Sequence, residues 1–187
     1  MRILLVDNYD SFTFNLFHLL QNKVSLIDVV RNDKLNFDKV NQYDKIVLSP
    51  GPGIPSEASK LKPLIESFSS SKSILGICLG HQAIGEVFGL KMLKMSNVKH
   101  GVKSIITTYD KDDYLFKDLK DPIQIGHYHS WVLDEKTISN KIKVTAKSES
   151  LIMALSHTDF DVKGLQFHPE SILTPQGDKI LDNWISY

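Results

Sequence analysis

The sequence predicts an α/β domain with a central, mostly parallel sheet flanked by helices. In the first half of the chain, short apolar runs alternate with helix-like stretches, as in parallel sheets whose strands are buried between helices. The second half has strand-like runs with few helices between them. We therefore expect the second half to extend the sheet in a mixed, partly antiparallel manner.

Each element is predicted from a local pattern. Short apolar runs bounded by turn residues predict strands at Ile3–Val6, Val24–Val30, Lys45–Leu48, Ser73–Ile77, Ser104–Thr108, Ile123–Gly126, Lys143–Ala146 and Gly164–Phe167. Longer stretches with apolar residues on one side predict helices at Ser11–Gln21, Glu57–Phe68, Leu79–Phe88 and Asp178–Ile185. The segment Ser49–Pro55 must be a loop, because its three prolines cannot sustain a helix or a strand ladder.

The composition is that of one globular domain, and we assign residues 1–187 to it. Hydrophobic residues make up 42% of the chain and charged residues 24%. Because 22 basic residues balance 22 acidic ones, the charge gives no argument for binding nucleic acid or a membrane surface. We read the basic stretch Lys91–Lys99 as a solvated face.

The single cysteine, Cys78, cannot form an internal disulfide. No apolar run reaches the roughly 18 residues of a membrane span, and the N-terminal residues do not resemble a signal peptide. These observations favour a cytoplasmic protein.

The segment Gly76–Gln82 has the pattern of a nucleophile elbow. A strand runs into Cys78, a helix begins directly afterwards, and Gly76 and Gly80 permit a tight turn. The helix N-terminus supplies free N–H groups and a partial positive charge, which favour a thiolate and can stabilise an oxyanion. The alternative is that Cys78 is a small, inert residue of the core.

A matching base follows the last predicted strand, in the segment Gly164–Glu170. His168 can exchange a proton with a thiol and with a leaving amine, and Glu170 can orient its imidazole. Pro169 stiffens the link between them. The alternative is that His168 is a structural histidine at a strand end, with hydrogen-bond partners for its ring nitrogens, and that Glu170 is a surface charge.

Together, these two segments resemble the paired signature of class I, triad-type glutamine amidotransferases. More narrowly, the chain is similar to the small subunits of anthranilate synthase and aminodeoxychorismate synthase. Segments similar to that subgroup run through the whole chain: Val6–Asn15, Ser49–Gly53, His100-Gly101, Tyr128–Trp131 and Gln166–Gly177.

The resemblance implies the fold of that family and a role for each matching residue. Cys78 would attack the amide of glutamine, His168 would be the general acid and base, and Glu170 would orient it. The N–H groups of Gly51 and Leu79 would form the oxyanion hole. The residues expected to bind substrate are Gly51, Pro52, Gly53, Gln82, Ser130 and Trp131. We expect no metal or other cofactor.

The same resemblance implies a partner. L-Glutamine would be the substrate, and its ammonia would pass to a chorismate-binding synthase large subunit (component I) that forms anthranilate. The Ser130-Trp131 pair and the segment Leu173–Gly177 favour this choice. Aminodeoxychorismate synthase is the alternative partner, and one chain can serve both. Two other hypotheses are a stand-alone cysteine hydrolase and a non-enzymatic subunit that kept the fold.

The sequence departs from the family pattern at two positions and contains two rival motifs. His127 stands where the family often has arginine, and Val102 where it often has lysine. The spacing of His127 and His129 places both on one strand face, which allows a metal site, but no acidic or cysteine ligands accompany them. The segment Asn8–Asn15 lies where a phosphate loop would, yet it has neither glycine nor lysine.

Overall fold

The computed structural model describes residues 1–187, which form ten strands and five α-helices. The strands are β1 (Arg2–Asp7), β2 (Leu26–Arg31), β3 (Lys45–Leu48), β4 (Ser73–Ile77), β5 (Met92–Ile105), β6 (Thr108–Tyr109), β7 (Gln124–Leu133), β8 (Ile142–Ser148), β9 (Leu151–His157) and β10 (Val162–Leu165). The helices are α1 (Thr13–Leu20), α2 (Phe37–Val40), α3 (Leu61–Phe68), α4 (Leu79–Val87) and α5 (Gly177–Ser186).

Eight strands form the central sheet in the order β2-β1-β3-β4-β10-β9-β8-β6. The first five in this order are parallel, and the last three continue the sheet with antiparallel pairing. Strands β5 and β7 pair with each other in a separate antiparallel ribbon. The predicted mixed sheet is therefore confirmed, with the ribbon as an addition.

The sheet separates two apolar cores, because alternate residues of a strand point to opposite faces. In β1, Leu4 and Val6 belong to one core, and Ile3 and Leu5 to the other. Helices α3 and α4 cover the first core, and α1 and α5 cover the second. The result is a three-layer arrangement of helix, sheet and helix.

The structure corrects several boundaries in the second half. The predicted strand at Ser104–Thr108 is wrong: Ser104 and Ile105 end the long strand β5, and two residues separate it from β6, which begins at Thr108. Lys91–Lys99 is mostly exposed, as expected of a solvated face, but most of it is β5 of the ribbon. Strand β9 was not predicted, and α3 begins at Leu61 rather than Glu57.

The strand order places two chain segments side by side at the carboxyl edge of the sheet. Strand β10 pairs with β4 in parallel, and Leu165 lies opposite Ile77. The residues that follow these two strands, Cys78 and Gln166 with His168 beyond it, are thereby neighbours. No helix in the structure has the length and apolar character needed to cross a membrane.

Candidate active site

Cys78 lies in the sharp turn between β4 and α4. Its φ of 51° and ψ of −98° form a left-handed conformation that non-glycine residues rarely adopt and that occurs mainly at functional sites. A Cβ at Gly76 would lie 2.4 Å from the carbonyl carbon of Gly80, and one at Gly80 would lie 2.6 Å from the carbonyl oxygen of Leu48. The turn therefore requires both glycines, and it holds the buried thiol at the N-terminus of α4.

His168 follows β10 in a compact turn. Its amide donates to the carbonyl of Gly126 at 3.2 Å, and its carbonyl accepts from Thr174 Oγ1 at 2.7 Å. The imidazole Nδ1 lies 2.6 Å from Glu170 Oε1, and both side chains are buried. Because the carboxylate holds a proton on Nδ1, Nε2 is the nitrogen left to react. Nε2 has no hydrogen-bond partner of ordinary geometry.

The charge of His168 depends on its two neighbours. Burial lowers the pKa of His168, but the interactions with the neighbouring Cys78 and with the Glu170 carboxylate outweigh burial and raise the pKa to about 10. The imidazole is therefore protonated at neutral pH, and it lies beside the Cys78 side chain. A cysteine and a protonated imidazole side by side can serve as a nucleophile and a general acid.

Two aromatic rings cover the imidazole. The ring of Tyr128 lies 4.9 Å from that of His168, and the ring of Phe12 lies 5.3 Å from it, both in edge-on geometry. Tyr128 is fixed by a 2.9 Å hydrogen bond between its hydroxyl and that of Ser171. The sequence alone predicts no role for either ring at the site. Their packing keeps the imidazole in one orientation.

Asn8 fixes the loop Ser49–Gly53 through two hydrogen bonds to Ser49. The Asn8 amide donates to Ser49 Oγ at 2.9 Å, and Asn8 Nδ2 donates to the Ser49 carbonyl at 2.8 Å. Asn32 Nδ2 donates to Asn8 Oδ1 at 3.0 Å and thereby fixes the Asn8 side chain. The segment Asn8–Asn15 thus includes an anchor for the neighbouring loop.

The two residues predicted to form the oxyanion hole lie against each other. A Cβ at Gly51 would come within 2.5 Å of Leu79 Cδ2 and within 2.7 Å of Asn8 Cβ. Only glycine permits this approach of the loop to the N-terminus of α4. Pro52 and Gly53 lie at the exposed tip of the loop, where Gly53 has a φ of 71°.

Gln82 lies one turn beyond Cys78 on α4 and contacts the ribbon. Its Nε2 donates to the carbonyl of Trp131 at 2.9 Å and to Gln166 Oε1 at 3.2 Å. Gln166 Nε2 in turn donates to Cys78 Sγ at 3.6 Å. Ser130 and Trp131 are half-buried on β7. These contacts join Cys78, Gln82 and Trp131 into one hydrogen-bonded chain, and Gln166 is the link that the sequence did not predict.

His127 and His129 lie on one face of β7, as their spacing predicts. His127 Nδ1 is 3.0 Å from His129 Nε2, and His127 Nε2 is 2.6 Å from Ser104 Oγ. Burial is the main cause that lowers the pKa of His127 to about 4 and that of His129 to about 3. Both imidazoles are therefore neutral near pH 7.

The sequence matches a known family along nearly its whole length. The family described as "Glutamine amidotransferase class-I" matches residues 4–186. Anthranilate synthase component 2 of Pseudomonas aeruginosa is 39% identical, with 98% of this chain and 94% of that protein covered. Aminodeoxychorismate synthase component 2 of Klebsiella aerogenes is 41% identical, with 98% and 99% covered.

The fold also matches solved structures. A Thermoplasma acidophilum protein, provisionally described as a GMP synthase subunit, has a TM-score of 0.88 at 25% identity, with 100% of this chain and 92% of that chain covered. A glutamine amidotransferase from Thermotoga maritima has a TM-score of 0.73 at 19% identity, with 100% and 81% covered. The second likeness concerns the fold alone.

Proposed function

This chain belongs to the class I glutamine amidotransferase family, and we propose that it is the glutaminase subunit of a chorismate-using synthase. Glutamine hydrolysis would release ammonia, which a separate large subunit would add to chorismate. The observation that best supports this proposal is the buried His168–Glu170 pair beside Cys78 at a left-handed turn.

The geometry supports a two-stage hydrolysis. Cys78 Sγ attacks the side-chain amide carbon of glutamine, and the N–H groups of Leu79 and Gly51 stabilise the oxyanion. His168 gives its proton to the departing ammonia, which leaves a glutamyl thioester on Cys78. Water then attacks the thioester with His168 as the general base, and glutamate leaves. Glu170 holds the imidazole in one orientation through both stages.

A partner is chemically sensible because most free ammonia is protonated, and therefore unreactive, at neutral pH. The surface beside the triad has a feature suited to docking: Ile172, two residues beyond Glu170, is 91% exposed. A single exposed isoleucine is ordinary on a protein surface, so its position beside the buried triad is the reason to propose it as a contact for another protein. The large subunit would receive the ammonia on this side.

We favour anthranilate as the product, and aminodeoxychorismate is the second candidate. Relatives named for the two synthases are similarly identical to this chain, at 39% and 41%. The segment Leu173–Gly177, one of the two reasons to favour anthranilate, packs beneath the His168 turn: a Cβ at Gly177 would collide with the Pro169 carbonyl. These contacts serve the triad in either pathway, so the choice requires an experiment.

The experiment measures glutamine-dependent ammonia release by the parent chain and by Cys78→Ala. Each is assayed alone and then with chorismate and the large subunit of either synthase. We expect release that rises with the anthranilate synthase large subunit, yields anthranilate and vanishes in Cys78→Ala. Activation only by the aminodeoxychorismate synthase large subunit would assign the chain to aminodeoxychorismate formation instead. Equal release by Cys78→Ala and parent would refute the mechanism.

A further inference from the structure

Gln166 lies beside the nucleophile because of the sheet register. Leu165 of β10 pairs with Ile77 of β4, and the Cys78 amide donates to the Leu165 carbonyl at 2.7 Å. The next residue along the chain is Gln166, so its main chain adjoins that of Cys78. Its own amide donates to the Met153 carbonyl on β9 at 2.9 Å, which fixes it from the other side.

The side chain of Gln166 points toward α4. Alternate residues of a strand lie on opposite faces, and Leu165 and Phe167 both belong to the core on the other face of the sheet. A Cβ at Gly164 would lie 2.7 Å from His81 Nδ1 on α4, which identifies the face as the one toward that helix. Gln166 is fully buried between Gly164 and His168 on this face. A buried amide must find partners for its polar atoms.

Those partners are two residues of the proposed mechanism. Gln166 Nε2 donates to Cys78 Sγ at 3.6 Å, and Gln166 Oε1 accepts from Gln82 Nε2 at 3.2 Å. The second proton of Gln82 Nε2 goes to the Trp131 carbonyl at 2.9 Å. With both protons of Gln82 held by protein groups, its Oε1 is left to accept from the α-ammonium group of a substrate.

We propose that Gln166 is a positioning residue that stabilises the Cys78 thiolate and, through Gln82, aligns the recognition of the substrate's amino-acid end. This inference rests on the proposed glutaminase function. A hydrogen-bond donor to sulfur favours the anion over the thiol. An acceptor for Gln82 fixes which way that amide faces. One side chain therefore links the reactivity of the nucleophile to the orientation of its substrate.

Two substitutions separate the two roles. Gln166→Met keeps the length and volume of the side chain but removes both the donor and the acceptor. Gln166→Glu keeps an acceptor for Gln82 but removes the donor to Cys78 and adds a like charge near the thiolate. Gln21→Met is the control, because Gln21 is exposed directly after α1, where its Nε2 lies 3.1 Å from His18 Nδ1.

Alkylation by iodoacetamide reports on Cys78 alone, because the chain has no other cysteine. We expect Gln166→Met to raise the pH midpoint of alkylation by about one unit and the KM for glutamine about tenfold. Gln166→Glu should raise the midpoint at least as much while KM stays within about threefold of the parent value. Gln21→Met should match the parent in both measurements.

An unchanged alkylation midpoint and KM in folded Gln166→Met would overturn the proposal and leave Gln166 as a packing residue. Thermal unfolding identifies the folded variants. If Gln166→Met fails to fold, the alkylation midpoint of Gln166→Glu decides the role toward Cys78. If the parent hydrolyses no glutamine, the proposed function fails, whereas the alkylation profiles still test the contact between Gln166 and Cys78.

Discussion

Gly51 and Leu79 meet closely enough to exclude any side chain at position 51. A Cβ there would lie 2.5 Å from Leu79 Cδ2, 2.7 Å from Asn8 Cβ and 2.9 Å from the Asn8 carbonyl oxygen. The three residues follow three different strands, so their contact fixes the spacing of the strand ends as well as the loop. The first prediction tests this contact.

We expect Gly51→Ala to lower kcat for glutamine hydrolysis by about 10² to 10³, because the added methyl group displaces a proposed oxyanion donor. The matched control is Gly101→Ala, whose Cβ would meet nothing within 4 Å, although its φ is 67°. That control should lose about 1 kcal/mol of stability to backbone strain and keep its kcat. Steady-state kinetics and urea unfolding measure both effects. Similar kcat values for the two variants would contradict the role of the contact.

Glu170→Gln removes the negative charge that faces His168 Nδ1 at 2.6 Å. Because Glu170 helps to raise the pKa of His168, we expect that pKa to fall from about 10 in the variant. The alkaline limb of the kcat/KM profile should then move to lower pH, and kcat should fall about 10²-fold. Glu66→Gln, at an exposed position on α3, is the control. An unmoved alkaline limb would show that another group holds the imidazole charge.

Acid should destabilise the fold through His81. Burial lowers the pKa of His81 to about 3, and neither ring nitrogen has a hydrogen-bond partner of ordinary geometry. The unfolded chain binds this proton below about pH 6.5, whereas the folded chain binds it only near pH 3. Stability is therefore lost as pH falls through this window.

At pH 5, the loss from His81 alone is about 2 kcal/mol. We expect His81→Leu to remove that part of the difference in unfolding free energy between pH 7 and pH 5, as measured by urea titration. His18→Leu, at an exposed position, should leave the difference unchanged. A parent-like difference in His81→Leu would mean that other groups account for acid sensitivity.

Ile172→Asp tests the proposed docking face. The side chain is 91% exposed, so we expect stability and partner-free glutaminase activity to change little. A charge at the centre of an apolar contact should weaken large-subunit binding by at least about tenfold. The control is Leu26→Asp, at 38% exposure and at the amino end of β2, away from the carboxyl edge where the site lies. Equal activation of both variants by the large subunit would place the interface elsewhere.

The first half of the fold follows from local sequence. Strands β1, β3 and β4 are buried on both faces, so each is a continuous apolar run. Strand β5 gives no such signal, because it is largely exposed and two register shifts against β7 interrupt its alternation. Strand β9 contains Leu151, Met153 and Leu155, residue types that do not distinguish a strand from a helix.

The residues of the site also differ in whether local sequence predicts them. Cys78 and His168 stand out because glycines or a proline accompany them in short, local patterns. Phe12, Tyr128 and Gln166 do not, because their roles depend on which segments become neighbours. The placement of β10 beside β4 creates the contact between Gln166 and Cys78. The position of Gln166, directly after β10 and two residues before His168, was the one signal that could have identified it.

The insertion of β10 between β4 and β9 also determines at which stage of synthesis and folding the site can form. The proposed nucleophile follows the fourth strand, but its proposed base follows the last strand, which fills the middle of the sheet. During synthesis, the ribosome therefore releases the cysteine long before the histidine. Until the final strand enters, the sheet has a gap and the thiol has no base. Completion of the sheet and onset of glutaminase chemistry are thus one event, which keeps unfinished chains from consuming glutamine.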